Sequence, residues 1–79
     1  MLATYTDTAN NVEIRMTRQE RNRHILTSAA YRARARDERV FSKNYWNTVE
    51  SKLIHLRDAQ EYEAIADALD AFDAAEGAA

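Results

Sequence analysis

The spacing of hydrophobic positions changes period once along this chain. Val12, Ile14 and Met16 alternate with Glu13 and Arg15, the period of a half-buried strand. Upstream, Thr4, Thr6 and Thr8 alternate with Tyr5 and Asp7, and Asn10-Asn11 follows. Because asparagine tolerates positive φ, this predicts a hairpin within residues 1–16 closed by a two-residue turn. That register sets Ala9 opposite Val12, Asp7 opposite Ile14 and Tyr5 opposite Met16. An extended threonine-rich arm is the alternative, since an isolated hairpin is marginal.

From Thr17 onward the period is helical. Thr17-Arg18-Gln19-Glu20 is a capping box, in which the Thr17 hydroxyl accepts from the Glu20 amide and the Glu20 carboxylate reaches back to Thr17. It predicts a helix over 18–39 with a narrow, small-residue face of Leu26, Ala29, Ala30 and Ala33. Ser42 or Asn44 caps a second helix over 44–57, whose core face is Tyr45, Trp46, Val49, Leu53 and Leu56, with Ile54 left over on the other side. Asp58-Ala59-Gln60-Glu61 reads as a further helix start, and the apolar phase slips between Leu56 and Tyr62. Two helices with a break near Asp58 are therefore expected, with one kinked rod as the alternative because no Gly or Pro intervenes.

The last predicted helix, 59–75, has three stripes about 120° apart at ~100° per residue. Tyr62, Ile65, Leu69 and Phe72 are bulky; Ala64, Ala68, Ala71 and Ala75 are small; Glu63, Asp67, Asp70 and Asp73 are acidic. Gly77 is placed to end the helix, leaving 77–79 as a frayed tail. The fold class read from these patterns is mainly α: a single small three-helix domain over 1–79, with a short N-terminal β-hairpin or extended arm. Its expected core is Ile14, Met16, Leu26, Ala33, Trp46, Val49, Leu53, Leu56, Tyr62, Ile65, Leu69 and Phe72.

Composition narrows the class. There is no cysteine, no proline and one glycine, while 15 of the 79 residues are alanine, the strongest helix former. No apolar run approaches the ~20 residues of a membrane span, and Met1-Leu2-Ala3 begins no signal peptide. A cytoplasmic protein without membrane contact is expected. The net charge of −2 conceals a division: residues 15–43 carry +6 and residues 58–79 carry −7. Arg21, Arg32, Arg36, Arg39 and Lys43 fall within a strip about 60° wide if the first helix is continuous. Folding can bring the two signs together as self-neutralising surfaces, or either can be a binding face.

Chemistry has little support. No phosphate loop, cysteine nucleophile or Gly-x-Ser-x-Gly elbow is present, and His24 and His55 have no second ligand at metal spacing. A chain this short leaves little room for a pocket of ~300 Å³ walled from water. The expectation is a non-enzymatic protein with no cofactor, no metal and no small-molecule substrate. It would regulate or inhibit a larger protein partner, in the style of phage or mobile-element inhibitors of nucleic-acid-handling machines. Candidate partner-binding residues are Glu63, Asp67, Asp70 and Asp73 on the acidic face, and Arg32, Arg36, Arg39 and Lys43 on the basic face. The alanine stripe of Ala64, Ala68, Ala71 and Ala75 is the candidate homodimer interface or the seat of another helix.

Two other classes remain open. The order of strand, capped helix and helix resembles a ribbon-helix-helix module, which would imply a DNA-binding regulator with Glu13 and Arg15 as the outward, base-reading strand residues. The long first helix, the lack of apolar positions from Arg18 to His24 and the absence of a glycine between the helices depart from that pattern. A structural subunit of an assembly is the third class, with Leu2, Tyr5 and Ile54 at its contacts.

Overall fold

A computed structural model describes residues 2–7, 12–44 and 47–78. It is mainly α, with a two-stranded antiparallel hairpin, β1 (Leu2–Asp7) and β2 (Val12–Thr17), ahead of three helices. These are α1 (Arg18–Arg23), α2 (Ser28–Ser42) and α3 (Val49–Ala78).

The hairpin pairs Ala3 with Met16, Tyr5 with Ile14 and Asp7 with Val12. This is two residues away from the predicted register. An even shift keeps the strand alternation in phase, so the same side chains share each face. The predicted turn at Asn10-Asn11, with Ala9, lies outside the described residues.

The predicted 18–39 helix is two helices. Thr17 caps α1, its hydroxyl accepting from the Glu20 amide at 3.0 Å. The second half of the capping box does not form, because Glu20 instead pairs with Arg23. His24 ends α1 in an extended conformation, and Thr27 opens α2 by accepting from the Ala30 amide at 3.1 Å. A second N-cap therefore sits inside the predicted helix, and it interrupts the helix without Gly or Pro.

The opposite correction applies downstream. The two predicted helices at 44–57 and 59–75 are one rod, α3, of 30 residues. At ~1.5 Å per residue it is about 45 Å long, nearly the 49 Å long axis of the molecule. Its cap is Thr48, whose hydroxyl accepts from the Ser51 amide at 3.1 Å. Ser42 is instead the last residue of α2, buried, donating to the Arg39 carbonyl at 2.6 Å. Asp58 lies inside the helix, and the helix passes through Gly77 to Ala78 rather than ending at the glycine. The helix runs through the apolar phase slip, with α2 meeting it on both sides of Asp58, at His55 and at Glu63.

α2 lies antiparallel along α3, and this contact dominates the fold. The hairpin covers another side of the C-terminal half of α3, where Met16 of β2 clusters with Ala68, Leu69 and Phe72. The described buried apolar residues are Met16, Ala35, Ala59, Ala64, Ala66, Ala68, Leu69 and Phe72. Most are alanines, which let backbones approach closely but contribute little apolar area each. Leu26, Ala33, Leu56, Tyr62 and Ile65 are half-buried. Two predicted core residues are exposed: Val49 at 73% and Leu53 at 60%. They sit on the N-terminal turns of α3, on a side that neither α2 nor the hairpin covers. Trp46 and Tyr45 lie outside the described residues.

Candidate interaction surfaces

The basic and acidic segments face one another across the molecule. Arg18 of α1 donates to Glu76 at 2.6 Å, and Arg21 donates to both carboxylate oxygens of Asp73, from Nε at 2.9 Å and from Nη2 at 3.1 Å. Arg32 of α2 bridges Asp67 at 2.7 Å and Asp70 at 3.0 Å. Arg39 donates through Nε to Glu63 at 2.9 Å. Every residue of the predicted acidic stripe is thus paired with an arginine of α1 or α2. The sequence cause is spacing: residues 63, 67, 70, 73 and 76 repeat at three or four along one helix, and so present a ladder to whatever lies beside it.

The Arg21–Asp73 pair is bidentate, with both carboxylate oxygens engaged. Its hydrogen bond from Arg21 holds the Asp73 carboxyl below the usual carboxylate range, desolvation opposing and charge attraction adding to it. The same hydrogen bond raises Arg21 further. These pairs are substantially solvated, so each contributes little to stability by itself. Together they fix where α1 and α2 sit along α3.

Of the predicted basic face, Arg32 and Arg39 are engaged in this ladder. Arg36 and Lys43 are exposed and make no ion pair among the described residues, and neither does Arg34. Arg36, Arg32, Ala35, Glu63 and Asp67 line an open groove of about 290 Å³ between α2 and α3. Arg21 lies on a separate helix from Arg32, so the predicted continuous basic strip does not exist.

The alanine stripe divides. Ala64 and Ala68 are buried within the chain, whereas Ala71 and Ala75 are exposed. The predicted four-alanine oligomer face is therefore not a surface: the close approach that alanine permits is used inside the domain.

The histidines are held locally. His24 Nδ1 lies 3.0 Å from the Tyr31 hydroxyl with the rings edge-on, and His55 hydrogen-bonds Glu38 while lying against Phe41. No group of three or more metal-ligating side chains is present among the described residues. No described helix is long and apolar enough to cross a membrane.

One end of the molecule is apolar and exposed, and it includes Val49 and Leu53, which were expected in the core. Val40 and Phe41 close α2, Val49, Leu53 and Ile54 open α3, and all five are more than half exposed. The Asn47 side-chain amide donates to the Phe41 carbonyl at 2.7 Å, tying the approach to α3 to the end of α2. The only signal for this in the sequence was Ile54, the aliphatic residue left without a place. Compared with known proteins, the chain matches no family model, no curated protein and no solved structure.

Proposed function

We propose that this protein is a non-enzymatic protein-interaction module that regulates or inhibits a larger protein partner, docking through the apolar end of its helical hairpin. The observation that carries this reading is the exposure of Val40, Phe41, Val49, Leu53 and Ile54 together at that end. Large apolar side chains left exposed together at one end of a small domain mark a candidate contact, and apolar burial is the dominant favourable term in most protein association. The charged faces are less suited to the role. A partner competing for the acidic stripe would first have to displace Arg21, Arg32 and Arg39 from it. A DNA-binding role through the basic helix is the weaker reading, since Arg32 and Arg39 of its predicted face are already held by carboxylates of α3.

Paired capture from the native cell extract tests the assignment. Bait carrying Phe41→Asp and Val49→Asp should lose proteins that wild-type bait retains, while bait carrying Asp67→Asn and Asp70→Asn should retain them. The reverse pattern assigns the charged face and overturns the proposal. A duplex-DNA mobility shift that weakens steeply with salt overturns it in favour of nucleic-acid binding.

A further inference from the structure

The back of α3 carries a pattern that fits a second copy of itself. Seen down the helix at ~100° per residue, Glu50 and Arg57 lie on nearly one line, about 20° apart, with Leu53 and Ile54 about 50° to either side of it. Along the axis the order is acid, two aliphatic residues, base: Glu50 stands three residues before Leu53, and Arg57 three residues after Ile54. Reversing the helix direction about the Leu53–Ile54 midpoint exchanges Glu50 with Arg57 and Leu53 with Ile54. The face is therefore complementary to itself only when the second copy runs antiparallel. That is the requirement of an isologous two-fold contact, in which each residue meets its counterpart's partner twice.

The surroundings leave this face available. Further along α3, Ala64 and Ala68 fall within about 30° of the same line, and there the face is buried, with Ala68 in the cluster that Met16 of the hairpin completes. From Glu61 back to Val49 nothing in the described chain covers it: Leu53 and Ile54 are exposed, as are Glu50, Arg57 and Glu61. Glu50 makes no ion pair among the described residues. Arg57 reaches only the exposed Glu61, at 3.9 Å, the longest of the ion pairs. Both charges are thus free to be re-aimed across a contact.

We infer that the protein forms an antiparallel homodimer through this face of α3, with Leu53 and Ile54 packed across the two-fold axis and Glu50 of each copy paired with Arg57 of the other. The inference rests on the reading of the apolar end as an interaction surface, and assigns a second copy to Leu53 and Ile54 while leaving Val40, Phe41 and Val49 to the larger partner. A contact two or three turns long belongs to the small, weak interface class, so the dimer is reversible and concentration-dependent. It would present two copies of the α2 end and raise the avidity for a repeated partner.

Sedimentation velocity of the full chain, from about 10 μM to about 1 mM, reads the equilibrium in the range where a weak dimer populates. Circular dichroism checks that each variant keeps its helix. Wild type should pass from monomer to dimer across the series, and Leu53→Asp should stay monomeric. Glu50→Arg alone and Arg57→Glu alone each replace two attractive contacts by two repulsive ones, and should weaken the dimer roughly tenfold. The double variant Glu50→Arg with Arg57→Glu should restore it. Restoration supports the antiparallel pairing, because a parallel pair would set like charges opposite each other in both backgrounds. A wild type that is monomeric throughout, a dimer indifferent to Leu53→Asp, or no rescue in the double variant overturns the inference. Those outcomes leave the apolar end itself to be judged by partner capture with Phe41→Asp and Val49→Asp bait, so failure of the dimer and failure of the docking reading are separately visible.

Discussion

Arg21 meets Asp73 side-on, 52 residues away in sequence, with two parallel hydrogen bonds of 2.9 and 3.1 Å. This pair ties the short helix α1 to the far end of the long helix α3. Its bidentate geometry is what distinguishes it from the other ion pairs of the ladder.

The pair gives a pH dependence with a defined sign. Asp73 has a folded-state pKa below its unfolded value, so its contribution is fully present above the unfolded carboxylate pKa and is lost as pH falls through the folded one. The Arg21 shift is upward, so that group's contribution is lost only in strong alkali. Thermal unfolding of wild type and Asp73→Asn should therefore differ at pH 6, and the difference should shrink as pH falls below about 4. A difference that grows on acidification would contradict the pairing.

Arg32 serves two carboxylates at once, and its cycles should show it. Double-mutant cycles of Arg32→Ala with Asp67→Ala and with Asp70→Ala are each expected to give a coupling of about 0.2–1 kcal/mol, the range for solvated pairs. Urea unfolding reads both. Zero coupling in both cycles would mean that the ladder does not position α2.

Close helix approach explains why the core is built of alanine. Ala59 and Ala66 are fully buried, one two-turn repeat apart on α3. Ala66→Leu should cost about 1–3 kcal/mol through overpacking, whereas Ala71→Leu, on an exposed position, should change stability by less than about 0.5 kcal/mol. Equal effects at the two sites would show that α3 is not seated as described.

Continuity of α3 is equally testable. Asp58→Pro should cost about 3 kcal/mol or more, because it removes an interior hydrogen bond and clashes with the preceding turn. Helicity by circular dichroism should fall with it. A neutral substitution would instead place a break at Asp58.

The fold class was legible in the sequence, and so was much of its detail. Periodicity located the hairpin strands, and the cap at Thr17 is where the pattern put it. What misled was the use of local signals for tertiary questions. Thr27 accepts from an amide three residues on just as Thr17 does, but it sits within an otherwise helical run, so the pattern of apolar positions hides it as a cap. Asp58-Ala59-Gln60-Glu61 has the composition of a helix start, yet Ala59 is fully buried, between His55 and Glu63, which both bond to α2, and a break there would disrupt that seam. The acidic and basic stripes were both visible; which residue pairs with which depends on the antiparallel setting of α2 on α3. Val49 and Leu53 have perfect core spacing and are exposed, because spacing says that a face is apolar and not that this chain covers it.

Charge is neutralised within the domain while an apolar end stays open, and covalent footprinting reads the open end most directly. In dilute solution, carbene labelling should modify Val40, Phe41, Val49, Leu53 and Ile54 heavily and leave Met16, Leu69 and Phe72 nearly untouched. If Val49 and Leu53 label as weakly as Phe72, the apolar end is covered within the monomer and the account of docking through it is wrong.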